Sequence, residues 1–182
     1  MPQALILVDV QMGFHEPSWG RRNNPMAEEA IARLLEHWRF HSAPVYHLQH
    51  LSTDAHSPLH PRKSGAGFQS VALPRKLEPV ITKEVNSGFI GTDLEKQLHQ
   101  ANISEIVLAG FTTDHCVSTT ARMGANLGFK VVIASEATVA FERRDQNGVL
   151  YAAELVHAVS LASLHGEFAK VQNNDQLLQF FG

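Results

Sequence analysis

Ser104-Glu-Ile-Val-Leu-Ala-Gly-Phe-Thr-Thr-Asp-His-Cys116-Val-Ser-Thr-Thr-Ala-Arg-Met-Gly-Ala-Asn-Leu127 changes its periodicity halfway along. Ile106 to Ala109 is a short apolar run that fits a strand buried on both faces. Gly110 and the Thr-Thr-Asp cluster punctuate it. From Val117 onward, Val117, Thr120, Ala121, Gly124, Ala125 and Leu127 recur at helical spacing. The only cysteine of the 182 residues therefore falls where a strand gives way to a helix, in or just before the helix's first turn. Unpaired N–H groups and the positive end of the helix dipole favour a thiolate there. Against this stands the ordinary behaviour of a lone cysteine as a small buried hydrophobe.

Working outward, apolar runs and helical faces alternate along the whole chain. Ala4 to Val8 reads as a strand ending in Asp9, and Gln11 to Asn24 as a loop. Pro25 opens a helix whose face is Ile31, Leu34, Leu35 and Trp38, and Pro44 to Leu48 is a second strand. Residues 51–77 are irregular, a loop long enough to suggest function. Val80 to Thr82 is a third strand running into Lys83. Thr92 to Gln100 is a helix, with Thr92 as N-cap and Glu95 completing a capping box. Phe129 to Ala134 is a strand, 135–148 a loop, 149–163 a helix, 167–171 a strand and 175–181 a short last helix. The expected fold is α/β: a three-layer α-β-α sandwich around a mainly parallel sheet of about six strands. No repeat or linker divides the chain, so residues 1–182 are read as a single domain.

Composition narrows the class. Hydrophobic residues are 44% and charged residues 18% of the chain, ordinary for a globular domain of this length. The formal charge of -3 and a pI near 6.4 come without a basic run, so neither nucleic acid nor a membrane surface is an expected partner. One cysteine excludes an internal disulfide and fits a reducing compartment. The run from Ala4 to Val8 is too short for a signal-peptide core, and the expected location is cytoplasmic.

Ligands of open parallel sheets bind beyond the carboxyl ends of the strands. Asp9, Lys83 and Cys116 each follow a different predicted strand there. A carboxylate can take the thiol's proton and an ammonium can stabilise the thiolate. Singly, Asp9 could cap a turn and Lys83 could be a solvated strand end.

Three ordered motifs carry a resemblance: Leu-Val-Asp9-Val-Gln; Ile-Thr-Lys83-Glu-Val-Asn-Ser-Gly-Phe-Ile-Gly-Thr-Asp-Leu94; and Ala-Gly-Phe-Thr-Thr-Asp-His-Cys116-Val-Ser-Thr-Thr-Ala-Arg122. With Ser57-Pro-Leu and Ser160-Leu-Ala-Ser-Leu-His-Gly-Glu-Phe168, the chain resembles the isochorismatase-like cysteine hydrolases from Ala4 to about Leu178. That superfamily includes nicotinamidases, N-carbamoylsarcosine amidase and isochorismatases. The resemblance implies a catalytic triad of Asp9, Lys83 and Cys116. It also implies a cis peptide between Phe111 and Thr112, and an oxyanion hole from the backbone N–H groups of Thr112 and Cys116. It further implies hydrolysis of a C–N bond in a small molecule through a thioester. The alternatives are vinyl-ether cleavage of the isochorismatase type, a redox-sensing thiol, and a binding protein on an inactive scaffold.

Expected pocket residues are Gln11, Phe14, Trp19, Phe89, His115 and Phe141, each aromatic fitting core as well as pocket. Trp19 lies in a loop that could close over the site. Arg143 and Arg144 could bind a carboxylate, although a solvated loop suits them better. Eleven histidines raise the question of a metal. Nicotinamidases hold zinc or a similar ion with an Asp-x-His pair after the second strand, whereas here that strand leads into His47-Leu-Gln-His50. Asp54, His56 and His60 offer suitable ligands later in the loop, but loop histidines more often face solvent or substrate. The reading is no metal and no cofactor. Homo-oligomers, dimers or tetramers, are common among such proteins, and Phe180-Phe181 suits an interface or the core.

Overall fold

A computed structural model describes residues 3–181. Six strands form one parallel sheet: β1 (Gln3–Val8), β2 (Val45–His50), β3 (Val80–Lys83), β4 (Glu105–Phe111), β5 (Lys130–Val139) and, after a short hairpin of β6 (Arg143–Arg144) and β7 (Leu150–Tyr151), β8 (Lys170–Gln172). Their spatial order is β3-β2-β1-β4-β5-β8. The helices are α1 (Ala27–Phe40), α2 (Leu94–Gln100), α3 (Ser118–Asn126), α4 (Ala153–Leu164) and α5 (Asn174–Leu177). Among the described residues no helix is long and apolar enough to cross a membrane.

Every residue of β1 is buried, which is why Ala4 to Val8 is a continuous apolar run rather than an alternating one. Successive side chains leave opposite faces of the sheet, and the two faces feed two cores. Leu5, Leu7, Val107 and Ala109 pack with Ile31, Leu34 and Trp38 of α1 and Leu177 of α5. Ala4, Ile6, Val8 and Leu108 pack with Leu94 and Leu98 of α2, Ala121 of α3 and Leu164 of α4. The result is the expected three-layer α-β-α sandwich.

Several boundaries differ from expectation. β5 runs on to Val139, because a register shift between Leu108 and Gly110 lets it pair with β4 a second time beyond the polar Ser135-Glu136 step. Residues 135–139 of the expected 135–148 loop are therefore strand, β6 takes Arg143 and Arg144, and α4 starts at Ala153 because Leu150–Tyr151 is claimed by the hairpin. The capping box at Thr92 does not form. Asp93 is the N-cap without a side-chain cap bond, and the Thr92 hydroxyl donates to the Gly88 carbonyl at 2.6 Å, closing the preceding turn. The last helix ends early, at Leu177. Its capping box uses Asn173 and Gln176.

Glu78 ties the β3 edge to its surroundings. Its carboxylate accepts from Arg39 of α1 at 2.7 and 2.8 Å, from the Arg75 N–H at 2.9 Å, and meets His47 Nε2 of β2 at 2.8 Å. Burial works against the charge, yet the Arg39 guanidinium and the other donors bring its pKa down from 4.5 to about 2. A depressed carboxylate stabilises the fold above its unfolded pKa and loses that contribution as pH falls through the folded one. Glu78→Gln is thus expected to cost about 1–3 kcal/mol at pH 7, discounted for partial solvation. Urea unfolding should show the difference shrinking between pH 4.5 and about 2. A deficit constant across that window would show that the charge is not its source.

Candidate active site

The C-terminal ends of β1, β3 and β4 converge. β4 must pass close to β1 there, and Gly110 permits it: its φ is +126°, and a Cβ would lie 2.0 Å from the Val8 carbonyl oxygen. The chain then turns through a cis Phe111–Thr112 peptide bond. Thr113–Val117 forms one π-helical turn leading into α3, with the Thr112 carbonyl accepting from Val117 N–H at 3.1 Å. Single π turns concentrate at functional sites, and Cys116 sits in this one. Asp9, directly after β1, has a φ of 51°, a left-handed conformation that costs an ordinary residue energy and collects where function uses it.

Lys83, the last residue of β3, brings these pieces together. Its Nζ lies 2.7 Å from Asp9 Oδ2, 3.2 Å from His50 Nδ1, 3.2 Å from the Val85 carbonyl oxygen and 3.4 Å from Cys116 Sγ. Asp9, Lys83 and Cys116 are all buried. Asp9 Oδ1 is buried without a hydrogen-bond partner. Asn86 Oδ1 lies 3.7 Å from Sγ.

Burial sets the charge state of the site. It pushes the Asp9 carboxyl above its ordinary value, and Lys83 offsets only part of that push. It likewise pushes the Cys116 thiol well up, helped by the neighbouring Asp9 carboxylate. Burial thus works against the thiolate that a helix N-terminus favours. Desolvation outweighs the dipole in a site this closed. The arrangement can therefore pass the sulfur's proton to a carboxylate at the moment of attack, beside an ammonium that stabilises the negative charge either group carries.

Other predicted residues fall elsewhere. Gln11 is buried and fully engaged: Oε1 accepts from His50 N–H, and Nε2 donates to the carbonyls of His50 and Ala66. It fastens β2 to the long loop and has no donor left for a ligand. Phe14 stacks on Phe111, with ring centroids 5.0 Å apart, and Trp19 and Phe141 pack against Phe14 and each other in the core on the α1 side of the sheet. Trp19 Nε1 donates to the Gly13 carbonyl, so this indole is packed rather than poised. Of the predicted aromatics, Phe89 shares a cluster with Cys116, stacked on Phe129. His115 is exposed and lies 3.5 Å from Asp114.

Arg143 is not solvated as expected. Its Nε donates to Asp114 at 2.7 Å and so clamps the hairpin to the nucleophile's turn. Arg144 is exposed and donates to the Gly148 carbonyl. On the other side, Thr113 Oγ1 lies 2.9 Å from His157 Nδ1 of α4. Asp54 Oδ1 accepts from His56 N–H, and His60 Nδ1 accepts from Arg62 N–H, each closing its own loop turn. Among the described residues the ligand set that converges is Asp9, His50 and Cys116, with ligand atoms within 4.8 Å of one another. The Lys83 ammonium lies against all three. Sequence reasoning considered His50 only beside the metal question and did not single out Asn86. The available signal was that His50 and Lys83 are both strand-terminal, and they are partners in the β2–β3 register.

Comparison with known proteins agrees with this geometry. The family profile of the Isochorismatase domain matches residues 3–172. The isochorismatase family protein YrdC of Bacillus subtilis (strain 168) is 48% identical over 179 residues, covering 98% of this chain and 96% of that protein. The crystal structure of an isochorismatase-family protein from Chromobacterium violaceum ATCC 12472 superposes with a TM-score of 0.93 at 41% identity, over 97% of this chain and 91% of that one. Streptothricin hydrolase of Streptomyces noursei is 31% identical over 143 residues, 77% of this chain and 50% of its own.

Proposed function

Because this chain belongs to the isochorismatase family of hydrolases, we propose that it cleaves a C–N bond of a small amide-type molecule through a thioester on Cys116. The observation that carries the proposal is the Lys83 ammonium held between Asp9 at 2.7 Å and Cys116 Sγ at 3.4 Å in a buried site. Streptothricin hydrolase, with half of its length matched, adds support from a relative named for hydrolysis of a small molecule.

Asp9 takes the Cys116 proton as sulfur attacks the carbonyl carbon. The carbonyl electrons move to oxygen, where the Thr112 and Cys116 backbone N–H groups stabilise the charge. Collapse breaks the C–N bond, and Asp9 gives its proton to the leaving nitrogen. Water then attacks the thioester, with Asp9 taking its proton. The acid leaves, and the proton returns to sulfur. Lys83 holds Asp9 in place and balances the negative charge that passes between carboxylate and sulfur. The whole chain acts as one hydrolase domain, without cofactor.

The test is a panel of small amides and ureides read by ammonia release, with isochorismate read by pyruvate release. One-to-one alkylation of Cys116 by iodoacetamide should abolish ammonia release. Turnover that survives full alkylation, or pyruvate release alone, would reject the amide reading.

His50 is a positioning residue in this scheme. Burial, and then the Lys83 charge, lower its pKa below 6.5, so at neutral pH it offers Lys83 an uncharged acceptor. His50→Leu is expected to lower kcat about 10–100-fold, the worth of a hydrogen bond to a charged group, with KM little changed. His50→Asn should recover part of the loss. An equal loss in both variants would mean that only packing is at stake.

A further inference from the structure

Among the polar side chains beside Cys116 Sγ, Asp9 and Lys83 are buried and Asn86 is exposed. Cys116 itself is only 7% exposed. The Asn86 Oδ1 nevertheless accepts from the thiol at 3.7 Å, so this one side chain spans the distance from solvent to sulfur. The backbone on both sides of it is pinned. On one side the Val85 carbonyl accepts from Lys83 Nζ at 3.2 Å. On the other, Gly88 N–H donates to Thr120 Oγ1 at 3.0 Å, and the Gly88 carbonyl accepts from the Thr92 hydroxyl at 2.6 Å. Ser87, between them, is buried, and its Oγ accepts from Phe89 N–H at 3.2 Å. Thr120 belongs to α3, the helix that continues from the nucleophile's own turn. One rigid element therefore sets Asn86 and the sulfur relative to each other, as a group that must recognise a reacting atom requires.

We propose that Asn86 reads the leaving group: its Oδ1 accepts from an N–H on the scissile amide and so makes the site select nitrogen over oxygen. The inference rests on the hydrolase reading and names the residue that sets its specificity. In the resting site the thiol S–H occupies Oδ1. Once Asp9 has taken that proton, Oδ1 faces a sulfur with no hydrogen to give, and an acceptor left without a donor is unfavourable. A nitrogen on the carbonyl carbon under attack is two bonds from sulfur. An acceptor 3.7 Å from Sγ can thus lie within hydrogen-bond reach, about 2.9 Å, of that nitrogen. Holding one N–H at Asn86 leaves the nitrogen's developing lone pair free for the proton on Asp9, whose Oδ1 is buried without a partner. An ester oxygen in the same place offers no hydrogen and sets lone pair against lone pair. The preference therefore arises as the thiol loses its proton, in the transition state rather than on binding.

The ratio of two alkylation rates at Cys116 tests this without the natural substrate. Iodoacetamide carries N–H groups and methyl iodoacetate carries none. With either reagent the thiol's proton passes to Asp9, sulfur bonds to the methylene carbon and iodide departs. Each rate is divided by that of free cysteine, and the ratio then cancels changes in thiol ionisation or packing that slow both reagents alike. The parent chain should favour iodoacetamide by about tenfold, the worth of one hydrogen bond. Asn86→Leu should abolish the preference with circular dichroism unchanged, and Asn86→Asp, which keeps an acceptor, should retain it. For any amide the parent chain hydrolyses, Asn86→Leu should lower kcat/KM about tenfold while the methyl ester of the same acid is little affected. A parent chain without preference, or equal slowing of both reagents by Asn86→Leu, would overturn the proposal. An Asn86-dependent preference without ammonia release from any amide would support N–H recognition at Asn86 and reject the hydrolase reading instead.

Discussion

Cys116→Ala is expected to fold as the parent chain does and to lose turnover by at least about 10⁴-fold, the scale on which removal of a covalent nucleophile acts. The fold should survive because the change removes one sulfur from a buried site and leaves a small void, costing on the order of 1 kcal/mol. It also removes no buried charge: Asp9 and Lys83 keep their 2.7 Å contact. Progress curves of ammonia release, with unfolding transitions run in parallel, provide the measurement. Retention of more than a small percentage of activity by a natively folded variant would rule out covalent catalysis.

Lys83→Met should be the most destabilising single change at the site. It leaves the Asp9 carboxylate buried without its counter-charge, and breaking a buried pair on one side costs about 3–5 kcal/mol. The sign of the pH dependence follows from Asp9, whose folded pKa is raised above 3.8 by burial even with Lys83 present. A group raised in this way favours the folded state below its unfolded pKa, and that contribution is lost as pH rises through the folded one. Without Lys83 the folded pKa rises further. The deficit should therefore be small in acid and grow as pH rises, which urea unfolding at several pH values can resolve. Lys83→Met combined with Asp9→Asn should recover much of the stability and none of the activity, since both charges are then gone. A deficit independent of pH would place its origin in lost packing rather than in the stranded carboxylate.

The parts readable from sequence and the parts that were not differ in the range of the forces involved. The strands at 4–8 and 106–109 are visible because residues buried on both faces of a sheet must be apolar without interruption. Boundaries set by contacts across the fold were misplaced. β5 continues through Ser135-Glu136 because extra residues in β5 between Ile133 and Thr138 let it pair with β4 again at Gly110 and Phe111, and nothing local to residues 135–139 signals that distant partner. The Thr92 capping pattern is present in sequence, and the hydroxyl accepts from Leu94 N–H at 3.4 Å while donating to the Gly88 carbonyl, but the helix takes Asp93 as its N-cap.

From sequence alone, the alternation of apolar runs and helical faces determined an α/β sandwich. The position of Asp9, Lys83 and Cys116 after three strands determined that they would share one edge, because parallel strands all end on the same side. The structure decided what each group is at that edge. Burial raises the Cys116 thiol against the pull of the helix end, His50 is a fourth member because β2 pairs with β3, and Phe14 and Phe141 are buried in the core on the α1 side, with Trp19 packed against it. Periodicity and chain order are local and survive in a string of letters; desolvation and neighbour identity exist only once distant segments have closed over one another.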